Sequence, residues 1–260
     1  MLIASSLAMV APFVWQIITS LQTLTSVTHI PPDPLPEGQW DNYHQVFGLL
    51  PFGHQFLNTV LMALGRTLGQ VLLCPMAAYA FARLRFPGRK VLFGLFLSVL
   101  MVPPQLFIIP QYQIMADLGW LNTLQALVLP GMFSAFGVFL LRQFFLGLPR
   151  ELEEAARLDG AGPWRVYWSI MLPLARPGLV ALAVLVLLWS WNDLFWPLVV
   201  NTAPDKMTLS AGLASLQGQF QTNYPVLMAG SLLASLPVIA VFVFLQRQFI
   251  QGIAQSGVKG

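Results

Sequence analysis

Apolar and polar positions in this chain alternate in long blocks, without the short period of a soluble amphipathic helix or half-buried strand. Six apolar stretches qualify as spans, at roughly 2–20, 56–82, 91–115, 124–147, 178–200 and 225–246, each bounded by Pro, Gly or charged residues. A helix needs about 20 apolar residues to cross the hydrocarbon core of a bilayer. Lipid offers no partner to a backbone N–H or C=O, so single segments must satisfy these groups internally, as helices. Pro75, Pro103-Pro104, Pro130-Gly131 and Pro237 interrupt the stretches, and membrane helices tolerate such residues where neighbouring helices restore the lost bonds. The pattern predicts an all-α membrane protein with six transmembrane helices in one domain, residues 1–260.

Two of the polar blocks have structure of their own. Segment 21–55 is Pro-rich at its start (Pro31, Pro32, Pro34, Pro36) and amphipathic afterwards (Trp40, Tyr43, Val46, Phe47), which predicts a short interfacial helix. The loop 148–177 predicts two short helices. Pro149 suits a first turn, Glu151, Glu153 and Glu154 suit the positive end of a helix dipole, and Gly160 suits a left-handed stop. The second helix starts near Pro163 and runs through Trp164, Tyr167, Trp168, Ile170 and Met171 to Pro173. On local physics alone, the pair would lie on the membrane surface.

Composition agrees: 57% of residues are hydrophobic, 9% are charged, and the mean hydropathy is +0.70. A soluble domain carries about 25% charged residues. The net charge of +3 reflects placement and not a nucleic-acid partner. Arg83, Arg85, Arg89 and Lys90 share one loop; Arg150, Arg157, Arg165 and Arg176 lie in another, and Arg247 and Lys259 in the tail. The other side holds Lys206 with Asp33, Glu37, Asp41, Asp117 and Asp205. The positive-inside rule then puts both termini in the cytoplasm of a multi-pass inner (plasma) membrane protein. The first span lacks the basic n-region and A-x-A site of a cleaved signal peptide. Cys74 stands alone in an apolar run, and His29, His44 and His54 are spaced for no metal site, so metal ligands are expected to be none. Lys90, Lys206 and Lys259 sit in no P-loop, and no nucleophile–base set exists, so catalytic residues are also expected to be none.

The loop has a fixed spacing: Glu154-Ala155-Ala156, three residues, Gly160, nine residues, Ile170, one residue, Leu172-Pro173. This resembles the EAA loop of bacterial and archaeal ABC importer permeases. Further stretches resemble the carbohydrate-uptake type, in particular the second permease of maltose-type importers. They include Asn42-Tyr43, Asn58-Thr59, Ala77-Ala78-Tyr79-Ala80 with Arg83, Phe86-Pro87-Gly88, Trp191-Asn192-Asp193, Met228-Ala229-Gly230 and Gly257-Val258-Lys259-Gly260. The resemblance implies a type I ABC importer (MetI-like) permease fold. It implies a cytoplasmic coupling helix whose ATPase-coupling residues are Glu151, Glu154, Ala155, Ala156, Asp159, Gly160, Ile170, Leu172 and Pro173. It also implies a second homologous permease subunit, two ATPase subunits that bind the ATP and Mg, an extracytoplasmic solute-binding protein and a sugar substrate. The chain itself then carries no cofactor, and the tail 247–260 touches the ATPase.

Polar groups inside spans usually face a bundle interior or a cavity. Asn192 and Asp193 with Trp191 and Trp196 are candidates for a sugar translocation path, against the alternative of an aromatic interface belt. Arg66 lies between Gly65 and Gly69, a small-xxx-small spacing that lets another helix approach, and is expected to make a buried ion pair or hydrogen bond. Gln70 is a further candidate for lining a path. A stand-alone secondary transporter or channel would need coupling carboxylates near the midplane, charge rings or an inverted repeat. Asp193 is the lone carboxylate in any span and lies near an end.

Overall fold

The computed structural model describes residues 2–31, 33–218 and 222–257. Every regular element among them is helical. In chain order these are α1 (Leu2–Ser20), α2 (Asp41–Leu49), α3 (Phe52–Arg83), α4 (Arg89–Met101), α5 (Pro104–Asp117), α6 (Leu124–Gly147), α7 (Glu151–Leu158), α8 (Pro163–Leu174), α9 (Arg176–Trp191), α10 (Phe195–Val200), α11 (Leu209–Ser215) and α12 (Tyr224–Gly257), with a single turn at Leu24–Thr28. Val258, Lys259 and Gly260 of the terminal family-like run lie outside the described residues, as does the side chain of Arg247.

Among the described residues three helices are long and apolar enough to cross a membrane, in α3, α6 and the Tyr224–Val243 part of α12. Two of the other expected spans are bent instead. The stretch 91–115 breaks by 95° between α4 and α5. Val102 (φ −90°, ψ 125°) and Pro103 (φ −55°, ψ 127°) each precede a proline and are pushed out of the helical region. A second break, of 71°, falls at Ala175 between α8 and α9. There Pro177 has no N–H for the carbonyl one turn back, and its ring crowds it. The span expected at 178–200 ends at Trp191, and α10 is a separate piece. If each bent pair is one span, the count is five, with Ala8–Ser20 a shorter apolar helix.

Contacts group the chain into two compact units, Met1–Thr59 with Asp193–Val241, and Val60–Asn192 with Phe242–Gly260. In the first unit, Asn42 Nδ2 donates to the carbonyls of Ser20 and Gln22, both at 2.9 Å, and so ties α2 to the end of α1. Val46 packs with Val226 and Ala229 of α12, while Trp40 and Phe47 stay exposed. Asn58 Nδ2 donates to the carbonyls of Asp205 and Met207, and Thr59 Oγ1 accepts from the Leu209 N–H at 2.9 Å. The family-like pairs Asn42-Tyr43 and Asn58-Thr59 are thus clamps on loops.

The second unit is built on α3 against α6. Met62, Arg66, Gln70, Cys74 and Ala78 form a buried stripe at a spacing of four, while Leu61, Leu64, Leu68 and Leu72 form an exposed apolar one. An outward leucine stripe with polar groups inside suits a helix surrounded by lipid. A β-carbon on Gly65 would come within 2.8 Å of Val128, and one on Gly69 within 2.6 Å of Met132, so the expected close helix approach is with α6. At the contact, α6 is interrupted around Pro130 by a 3₁₀ turn, Leu129–Gly131. Arg66 Nε donates to the Leu127 carbonyl at 2.7 Å and Gln70 Nε2 to the Gly131 carbonyl at 2.9 Å. Ser134 then restarts the helix, its Oγ accepting from the Gly137 N–H at 3.0 Å and donating to Gln70 Oε1 at 2.7 Å. Arg66 therefore makes the expected buried hydrogen bond, and Gln70 repairs a helix break.

Candidate functional site

Helix α7 fits its sequence. Three acidic residues occupy its first turn, with Pro149 just outside, two residues before the start. Its end is a left-handed stop: Gly160 has φ +81°, its N–H donates to the Arg157 carbonyl at 3.0 Å, and the Ala161 N–H to the Ala156 carbonyl at 2.9 Å. This pair of bonds satisfies carbonyls that a helix end otherwise leaves open. The two faces of α7 differ. Glu151, Leu152, Glu154, Ala155, Leu158 and Asp159 are exposed, Leu158 to 89%. Glu153 and Ala156 are buried. Of the two alanines in the triplet, Ala155 faces out and Ala156 packs against the chain's own core.

Glu153 was not among the sequence candidates, yet it is the centre of the local electrostatics. Its Oε1 lies 3.4 Å from Arg83 Nε and its Oε2 3.3 Å from Arg157 Nη2, with the Arg83 and Glu153 side chains 4% and 7% exposed. Arg83 Nε also donates to the Phe145 carbonyl at 3.0 Å, and its Nη2 donates to the Phe145 and Leu148 carbonyls. One guanidinium at the end of α3 thus caps the C-terminal carbonyls of α6 and holds the carboxylate of α7. The sequence carried a faint signal for this, since positions 149, 153, 156 and 160 share one helical face.

Helix α8 completes the platform. Tyr167 rings pack on Tyr79 at 5.2 Å and Trp168 at 5.1 Å, and Tyr79 packs edge-on against Phe145 at 5.7 Å. Tyr167 is buried, and burial pushes its phenol up to about 12. Residues Tyr167–Met171 form a wide π turn directly ahead of Pro173, which lacks the N–H that a regular turn would use. Ile170 and Leu172 pack half-buried against the core around Met171 and Leu182, while Pro173 is exposed.

Comparison with known proteins gives the family and the fold. Residues 70–255 match the family of binding-protein-dependent transport system inner membrane components. The chain belongs to this family. It is 42% identical over 205 residues, 79% of this chain and 74% of the relative, to the arabinooligosaccharides transport system permease protein AraQ of Halalkalibacterium halodurans. It is 34% identical over 265 residues, 98% and 94% of the two chains, to the sn-glycerol-3-phosphate transport system permease protein UgpE of Yersinia enterocolitica. Its fold is that of a bacterial ABC transporter involved in the import of the acidic polysaccharide alginate, with a TM-score of 0.81 over 95% of this chain and 93% of that one, at 24% identity. The protein is an ABC importer permease of the type I fold, a multi-pass inner-membrane component.

The other sequence candidates of this permease lie elsewhere. Asn192 is exposed at the end of α9, its Nδ2 donating to the Leu188 carbonyl at 2.8 Å. Trp191 and Asp193 are half-buried, and Trp196 is buried in α10. Among the described residues no group of His, Cys, Asp and Glu could hold a metal ion.

Proposed function

We propose that this permease is one of two homologous membrane subunits of an ATP-driven importer for a sugar or sugar-like solute, docked on separate ATPase subunits through α7. The observation that carries the reading is the two-faced α7. Its inner face is fixed by Arg83 and Glu153, and its outer face presents Glu151, Glu154, Ala155 and Leu158, all exposed. A short helix whose one side is anchored to two spans, with a small alanine between charges on the other, can pass a push from a partner into the membrane. Gly160 and the half-buried Ile170 and Leu172 hold the platform in shape. The partner subunits supply ATP and Mg binding, and an external binding protein delivers the solute.

In this reading α1, α3, the α4–α5 pair, α6, α9 and α12 are the six spans, α7 and α8 form the cytoplasmic coupling loop, and both termini are cytoplasmic. The relatives named for arabinooligosaccharides and sn-glycerol-3-phosphate support a sugar or glycerol-phosphate cargo. The chain segment carrying Trp191, Asn192, Asp193 and Trp196 is the one we assign to the solute path.

Substituting Ala155→Trp tests the docking. The expected outcome is a chain that inserts normally but loses co-purification of the ATPase subunit and solute uptake into vesicles. Unchanged uptake by this variant would overturn the proposal.

A further inference from the structure

Beside α7 lies a cavity of about 220 Å³ whose walls carry Arg83, Arg85, Arg89, Arg150 and Arg157. Glu153 and Glu154 also line it, so cationic groups exceed carboxylates by three. Two helices start around it, α4 at Arg89 and α7 at Glu151, and neither start has a side-chain cap. Their positive dipole ends add to the arginines' charge. Such an excess of one sign in a concave space raises the local concentration of anions.

The shape of what adjoins the cavity narrows the choice of anion. Arg85 and Arg89 also line a second, more open cavity of about 370 Å³, together with Phe86, Lys90 and Val91. From there α4 carries Val91, Leu92 and Leu95, which are 67%, 51% and 63% exposed. A basic hollow opening onto an apolar track matches an amphiphile, with phosphate in the hollow and acyl chain on the track. A free inorganic anion would use the hollow alone, and an acidic protein segment would leave the track bare.

We propose that this hollow binds the headgroup phosphate of an anionic membrane phospholipid, whose chains run along α4. Bound there, the phosphate bridges the turn after α3 to the start of α7. The hollow shares Glu154 with the face of α7 assigned to the ATPase, but its lipid response is read on the permease chain without that partner.

The test uses the full chain purified in uncharged detergent, with thermal midpoints measured against added phosphatidylglycerol, phosphatidylcholine or inorganic phosphate. Phosphatidylglycerol is expected to raise the midpoint, and the other two are not. The double variant Arg85→Gln/Arg89→Gln is expected to need roughly thirtyfold more phosphatidylglycerol for the same shift, on the known contribution of each basic residue near an anionic lipid. Arg165→Gln, which removes an exposed arginine outside the cavity, is expected to respond as the unaltered chain does. Native mass spectrometry of the unaltered chain is expected to show one retained phosphatidylglycerol in preference to phosphatidylcholine. Equal shifts from phosphatidylcholine or from inorganic phosphate, an unchanged double variant, or no retained anionic lipid would each sink the proposal. So would a double variant that keeps its lipid response but loses its ATPase subunit, since the hollow would then belong to that partner.

Discussion

Three side chains carry most of what happens around α7. The Arg83–Glu153 pair is almost wholly buried, so removing one partner strands a charge. Arg83→Ala or Glu153→Ala is expected to lower stability by about 3–5 kcal/mol, read as unfolding in detergent by urea or heat. Arg83→Met with Glu153→Met is expected to recover a large part of the loss; no recovery in the double variant would show that Arg83 acts only through the Phe145 and Leu148 carbonyls. Gly160→Ala is expected to cost about 1–2 kcal/mol, because a β-carbon disfavours the left-handed backbone. Tyr167 provides a pH signature. Its folded pKa of about 12 exceeds the ordinary 10.0, so folding favours the neutral phenol. Its contribution is whole below pH 10 and disappears as pH rises through 12. Its buried hydroxyl has no hydrogen-bond partner, so Tyr167→Phe is expected to be at least as stable as the parent at pH 7 and to gain a further advantage above pH 10, measured by alkaline denaturation. At this scale the sequence was partly legible. Gly160 announced itself as a stop, whereas Glu153 looked like one more acid in a first turn, because its partner is supplied 70 positions upstream by Arg83.

Elements were more legible than residues, with one systematic shortfall. Long apolar blocks became helices, and the Gly65/Gly69 spacing announced the approach of α6. Pro103-Pro104 and Pro177 were visible too, but hydropathy averages over a window and cannot tell a kinked span from a 95° turn. What decides is local: two consecutive residues before prolines leave the helical region together. The α3–α6 contact should be intolerant of bulk. Gly69→Leu is expected to cost about 1–3 kcal/mol through overpacking against Met132, and Met132→Ala in the same chain should relieve part of it. A Gly69→Leu chain as heat-stable in detergent as the parent would contradict the packing described.

For the whole molecule, charge placement and the loop motif conveyed the family before any coordinates. The grouping of residues 1–59 with 193–241 was not legible, because it rests on bonds such as Thr59 to Leu209 that join positions 150 apart. Orientation is directly measurable on this chain, whose one cysteine, Cys74, is buried. Lys206→Cys is expected to react with a membrane-impermeant maleimide added to intact cells, and Arg165→Cys only after the membrane is opened. The reverse pattern would invert the topology.

The repaired break in α6 bears on how the protein is made. Around Pro130 this segment leaves carbonyls that Arg66 and Gln70 of α3 must meet, and hydrocarbon supplies no substitute for those donors. Synthesis proceeds from the N-terminus, so α3 is in the bilayer first and waits with a buried guanidinium for its acceptor. Each of the two segments is thus an insertion aid to the other. The later one is expected to leave the translocon as a partner of the earlier, and its release into lipid should slow when Arg66 is replaced.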